Sequence, residues 1–284
     1  MAAEATRAVP GDPHPLPRLV IEPAGGGVDW RELWRFRDLL RILAERDIRL
    51  RYRQTALGVV WVILQPLIAS LIFAAIFGLF AKLPSDGAPY LLFVFAAMLP
   101  WNLFSAGVQR AGNSLIANAG LITKIYLPRE IIPIASVSAV ILDFGVASLV
   151  LLGLMVVSGV AFSWTILALP ALVLLALTIT VGTSLFFSAL SVYYRDFSYA
   201  LPFLLQVWMY ASPVVYGASL VPDQWQLLYG LNPMVGVIDG FRWALLGGPM
   251  PLVAMGESVV VATLVLLAGA TVFKRVERSF ADVI

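Results

Sequence analysis

Between Asp143 and Arg195 the chain carries no charged residue, and this one feature limits its folds more than any other. A membrane-spanning helix takes about 20 apolar residues, so the run is too long for a single crossing. Its one plausible break is the Ser158-Gly159 to Ser163-Trp164 region, which makes it two spans meeting in a tight turn. Composition agrees. Of the 284 residues, 60% are hydrophobic and 13% charged, and the mean hydropathy is +0.89. Soluble domains hold about 25% charged and about 45–50% apolar residues. The chain is an integral membrane protein, all-α and polytopic.

Further uncharged stretches complete a set of six spans. Span one covers 54–81 with Gln65-Pro66 in its middle, which predicts a kink. Span two is 87–108 and span three 131–158; span four follows Trp164. Span five is 198–216, with Pro202 and Pro213 near its ends, and span six is 252–273. Six spans put both termini on one side. That side holds Arg110, Lys124, Arg129, Arg195, Lys274, Arg275 and Arg278, whereas only Lys82 and Arg242 lie opposite. By the bias of basic residues toward the cytoplasm, both termini are cytoplasmic.

Residues 1–28 are Pro- and Gly-rich with few large apolar side chains, and read as a disordered tail without the apolar core of a signal peptide. His14, the single histidine, sits there as a solvated loop residue, and with no Cys there is neither a disulfide framework nor a thiolate metal site. The net charge of +2 is mild and says little about partners, and no nucleic acid is expected among them. From 29 to 53, Trp30, Leu33, Trp34, Leu40 and Leu43 alternate with Arg31, Arg35, Asp38, Glu45, Arg49 and Arg53 at three-, four- or seven-residue spacing, the pattern of an amphipathic helix lying among lipid headgroups. An ordinary packed cytosolic helix is the other reading.

The stretch NAGLITKIYLPRE, 118–130, is a small polar island between two apolar spans. Leu121-Ile122 and Ile125-Tyr126-Leu127 flank Lys124, and Pro128 closes the block, the profile of a short surface helix with a sticky face. Each apolar side chain left in water forgoes about 1.5–3 kcal/mol. A partner protein, the headgroup layer, or the Arg-rich helix of the same chain covers it.

Within the spans, Asp143 lies near the bilayer midplane, where a carboxylate costs about 2.5–3.5 kcal/mol on insertion scales. It faces the bundle interior or a watery path, in a functional or a structural role. After span five, 217–251 holds two short helical patterns. Asn232 is the cap with Pro233 in first position, and Gly247 is the stop. The second helix is too short to cross and re-enters or lies at the outer face. Asp239 and Arg242, three apart, form either part of a gate or a simple intrahelical pair. Phe73 and Phe77 in span one and Tyr210 and Tyr216 in span five are candidate pore-lining rings, with core packing the plainer reading.

RDIRLRYRQTALGVVWVILQP at 46–66, AAMLPWNLFS at 96–105, NAGLITKIYLPRE at 118–130, SVYYRDF at 191–197 and LNPMVGVIDGFRWALLG at 231–247 resemble the ABC-2 type permeases that export O-antigen, teichoic acid, capsule and related glycans. The resemblance runs over about 30–280, and implies a permease domain over 29–280 in a bacterial plasma (inner) membrane. It implies that two copies pair as a homodimer, and that each docks a separate ATP-hydrolysing subunit. A coupling helix at 118–130 would dock it through Leu121, Ile122, Lys124, Ile125, Tyr126 and Arg129, and an interface helix at 29–53 would carry Trp34, Arg35, Arg46 and Arg49. The helices of 217–251 would form the external gate over a path for a lipid-linked polysaccharide. ATP and Mg belong to the partner, since Lys82, Lys124 and Lys274 none follow a Gly and the phosphate-cradling loop is absent. No cofactor is expected in this chain, which is a transport subunit and not an enzyme. An ABC-2 exporter of drugs or lipids, a polytopic membrane transferase and an ATP-independent channel are the competing readings.

Overall fold

A computed structural model describes residues 34–53, 59–124 and 127–280. The tail predicted at 1–28 lies outside them. The helices, in chain order, are α1 (Arg37–Arg53), α2 (Val59–Phe73), α3 (Tyr90–Ala117), α4 (Ala119–Ile122), α5 (Ile131–Val157), α6 (Leu169–Tyr193), α7 (Phe197–Tyr210), α8 (Asp223–Gly230), α9 (Met234–Leu246) and α10 (Leu252–Val276). Short 3-10 turns precede α6 and α8 and follow α10, and no strand occurs among the described residues.

Among the described residues, five helical stretches are long and apolar enough to cross a membrane: Val60–Phe80, Tyr90–Ala117, Ile131–Val157, Trp164–Tyr193 and Leu252–Val276. In α3 78% of the most apolar window is buried, against 17–28% in the other four, so α3 is the axis and the others turn much of their surface outward. Its most extensive neighbours are α6 and α5. Crossing helices need small residues where their backbones meet. α6 and α10 meet at Gly182 and Gly269, where a Cβ on Gly269 would stand 2.1 Å from the Gly182 carbonyl oxygen.

The break expected after Asp143 is present. α5 ends at Val157, Gly159 takes the left-handed conformation at φ +69°, and the chain turns back through a 3-10 turn into α6. α2 runs through Pro66 as one helix, and its hydrogen bonding changes further on, to a π pattern over Ala74–Phe80.

The segment expected as span five is different. α7 has 14 residues and gives out at Tyr210, a length of about 21 Å. It runs antiparallel to α3, since Leu201 lies beside Gly112, Trp208 packs on Phe104 with ring centroids 5.0 Å apart, and Arg242 ties Val214 and Tyr216 to Phe93. Residues 201–216 thus follow α3 from 112 back to 93, roughly 28 Å at helical rise, as helix first and irregular chain afterwards.

The described residues form two apolar clusters. The larger occupies the bundle and includes Phe93, Phe95, Phe104, Leu151, Ile179, Val237 and Phe241. The smaller lies at one end and joins Leu43 of α1, Leu115 of α3, Ile122, Leu127, Ile131 and Ile132 to Phe273 and Phe280. We call this the basic end; it holds α1 and residues after α10, so both ends of the described chain lie there.

Candidate functional site

At the basic end α1 is amphipathic as expected, and Arg41, Arg46 and Arg49 are paired along the helix. Glu45 Oε1 accepts from Arg41 Nε at 2.8 Å and its Oε2 from Arg49 Nη2 at 3.1 Å, and the bond from Arg41 holds the Glu45 carboxyl below its usual range. Arg46 binds the adjacent Asp47 at 2.9 Å. Trp34 is exposed under the Arg37 guanidinium, 5.2 Å from its ring centroid, and Arg35 is exposed.

Of the stretch 118–130, one turn of helix, α4, is formed after Asn118, whose side-chain amide donates back to the Ser114 carbonyl of α3 at 2.8 Å. Ile122 and Leu127 are buried, and Leu121 is half-buried beside them, all against α1, α3, α5 and Phe280 of the same chain. The requirement that another molecule cover these three side chains is thereby removed: the α1 self-packing considered above accounts for them. Ile125 and Tyr126 lie outside the described residues. Lys124 is exposed, and Arg129 is half-buried with its guanidinium 5.9 Å from the centroid of Phe280.

Next to Arg129, Glu130 is 1% exposed and its Oε1 stands 2.7 Å from the Lys274 ammonium, an ion pair rather than an aligned hydrogen bond. Lys274 also reaches Glu277 at 3.3 Å, and burial, followed by the nearby Glu130 charge, raises the Glu277 carboxyl above its usual range. This cluster fastens the start of α5 to the end of α10.

Asp143, on α5, faces the bundle. Its two oxygens accept from Arg51 Nη1 and Tyr52 Oη of α1, and it lines a cavity of about 170 Å³ with Gln65, Asn102 and Gln109. Burial and the bond to this carboxylate push the Tyr52 phenol up to about 12. Asp143 is thus the anchor by which α1 is fixed to the membrane bundle.

At the opposite end the irregular chain after α7 is held carbonyl by carbonyl. The helix end leaves its last carbonyls without intrahelical donors, and in a membrane such groups cost several kcal/mol unless satisfied by protein. Arg242 Nη2 donates to the Val214 carbonyl at 2.9 Å, Nη1 to Tyr216 at 3.1 Å and Nε to Phe93 at 3.2 Å. Tyr90 donates to Val215 at 2.7 Å, Asn232 Nδ2 to Ala211 at 3.2 Å, and Tyr216 Oη to the Tyr210 carbonyl at 3.2 Å. The guanidinium stacks 3.5 Å from the Phe93 centroid. Asp239 lies 3.5 Å from Arg242, so the intrahelical pair exists, but the three carbonyls are the guanidinium's closer partners. Burial pushes the Asp239 carboxyl up to about 6 against the pull of Arg242, and pushes the Arg242 guanidinium down to about 10. Asn232 also accepts from Met234 N at 3.1 Å and from Trp208 Nε1 at 3.0 Å, and Gly247 ends α9 at φ +84°.

The candidate pore rings divide. Phe73 and Phe77 face each other with centroids 6.1 Å apart and pack against the main core, the plainer of the two readings. Tyr210 is exposed, and Tyr216 is half-buried with its hydroxyl also accepting from Tyr229 at 3.1 Å. Arg51, Tyr52, Tyr90 and Glu130 carried no sequence signal of their parts here, because each partner stands far away in the chain.

A bundle of several bilayer-length apolar helices around one buried axis defines a multi-pass membrane protein. The chain belongs to the ABC-2 type transporter family, whose family model matches residues 38–246. It is similar to the O-antigen export system permease protein RfbA of Myxococcus xanthus, 29% identical over 89% of this chain and 97% of that protein. It is also similar to the protein of the same name from Klebsiella pneumoniae, 25% identical over 87% and 95%. The polysialic acid transport protein KpsM of Escherichia coli is 28% identical over 72% of this chain and 79% of its own length.

Proposed function

We propose that this chain is the permease subunit of an ATP-driven exporter of a lipid-linked polysaccharide in a bacterial plasma membrane. The observation that carries the reading is the end-to-end similarity to permeases of O-antigen export, reaching 97% of one such protein. The permease domain spans 29–280. Two copies work as a homodimer, and each seats a separate ATPase that supplies ATP and Mg chemistry.

Six crossings follow if α7 and the clasped chain after it, which keep pace with α3 for roughly 28 Å, count as one. The meeting of both described chain ends at the basic end supports this even number, and the excess of arginine there supports a cytoplasmic location. α8 and α9 then belong to the outer side as the external gate.

The docking surface is the exposed tip around Lys124, standing on a platform that the chain buries for itself through Ile122 and Leu127. Such a tip moves as one body with α1, α5 and the end of α10, so a push on it reaches the bundle without bending a loop. Lys124→Glu should abolish co-purification of the ATPase while the permease stays folded, and the mutant cell should accumulate lipid-linked glycan inside. Full retention of the ATPase would reject the docking role, and normal glycan export from cells lacking the chain would reject the cargo.

A further inference from the structure

Between α1 and the last turns of α3 lies an open pocket of about 610 Å³ at the basic end. Arg46, Arg51 and Arg110 line it, with Asp47, Asn113 and Ser136 among its polar groups. Its carboxylates are already engaged. Asp47 holds Arg46 at 2.9 Å and accepts from Ser136 Oγ at 3.3 Å, and Asp143, just beyond the lining, holds Arg51. No described carboxylate pairs with Arg110. Three arginines against two aspartates leave one positive charge in the cavity, beside the Asn113 amide, one hydrogen of which is taken by the Gln109 carbonyl at 3.3 Å.

The surface next to this charge is apolar. Leu50, which lines the pocket, is 67% exposed, and Ile42, about two turns earlier in α1, is 62% exposed. A soluble anion would gain nothing from these side chains. An amphiphile with its anionic group against Arg110 and its hydrocarbon against Leu50 would satisfy both, and basic pockets between membrane helices at the cytoplasmic face suit lipid headgroups.

We propose that this pocket binds the headgroup phosphate of a lipid carrying one net negative charge, with the Arg110 guanidinium as the principal contact and Asn113 as an added donor. The planar guanidinium donates two parallel hydrogen bonds to a phosphate, and one surplus charge matches one phosphodiester. The site goes beyond the export reading and does not depend on it. A lipid seated there would brace α1 against α3 beside the Asp143 anchor.

The test uses the full chain, stripped of lipid in detergent and examined by native mass spectrometry. Phosphatidylglycerol, phosphatidylcholine and a polyprenyl diphosphate are added, with inorganic phosphate as competitor. The wild type is expected to hold phosphatidylglycerol in preference to phosphatidylcholine. Arg110→Gln should weaken that binding about ten-fold or more, the worth of one charge-assisted contact, whereas Arg195→Gln, an exposed arginine outside the lining, should not. Should R110Q not fold, Arg110→Lys is expected to keep the preference and Leu50→Ser, at an exposed position, to reduce retention of the lipid. Equal binding of the two phospholipids overturns the proposal even in a chain that exports glycan. So do an unchanged R110Q, an unchanged L50S, displacement by inorganic phosphate at equal concentration, or a diphosphate lipid held more tightly than phosphatidylglycerol.

Discussion

Arg242→Met is the sharpest test of how this fold carries an unwound chain beside its central helix. The substitution keeps most of the side-chain volume and removes every donor. The carbonyls of Val214 and Tyr216 lose their partner, that of Phe93 loses a donor beyond its bond within α3, and Asp239 loses its counter-charge. An orphaned buried polar group costs about 1–3 kcal/mol. The neighbouring cavity of about 540 Å³, lined by Asp239 and Arg242, admits water to part of the site, and Asp239 can protonate. A total of about 4 kcal/mol is therefore a better figure than the full sum of orphaned groups. At about 2–4 °C per kcal/mol for a chain of this order of size, the melting midpoint should fall by roughly 8–16 °C. The assay is the monodisperse fraction of detergent-purified protein after heating, with hydrogen exchange read over 210–217. Arg242→Lys should fall between the two, since one ammonium cannot match the fork. The double variant with Asp239→Asn should recover part of the loss. A midpoint for R242M equal to the wild type would refute the clasp.

Asp239 gives a pH signature: its folded pKa is raised to about 6 from 3.8, so its contribution to stability is present below the lower value and is lost as pH rises through the upper one. Asp239→Asn should remove that decline between pH 4 and 6, read as the difference in melting midpoint from the wild type. Lys274→Met leaves Glu130 buried without a counter-ion and should cost about 3–5 kcal/mol, with Glu130→Gln in the same chain restoring much of it in a thermal melt. Gly269→Val would drive side-chain atoms into the Gly182 carbonyl, 2.1 Å from the first of them, and should lower the yield of folded protein far more than Gly256→Ala, where a Cβ meets nothing within 4 Å.

Hydropathy located the crossings well where a helix lies against lipid. The stretch 131–158 is α5, Ile131–Val157, and 252–273 is α10, Leu252–Val276, because an unbroken apolar face is itself the signal. It stopped short in α3, expected over 87–108 and found at Tyr90–Ala117. Arg110, Asn113 and Ser114 end the apolar window, yet they continue the helix into the basic end, where they line the polar pocket facing α1. It ran too long after α7. Ala211, Val214 and Val215 are as apolar as any span, but the helix gives out at Tyr210, and no pattern in 198–216 announces that Arg242, Asn232 and Tyr90 will receive the freed carbonyls.

The one-dimensional chain decided that this is a multi-pass helical membrane protein with Asp143 turned inward, because the cost of charge in hydrocarbon acts residue by residue and needs no knowledge of neighbours. It also marked Lys124 as a polar tip and Asn232 and Gly247 as helix bounds, since capping is local. Tertiary structure alone decided which group neutralises Asp143, that Ile122 and Leu127 are covered by the same chain, and where Arg242 spends its donors. Those outcomes join positions tens of residues apart, and the free energy that selects them exists only once α1, α3, α5 and α9 have been brought together.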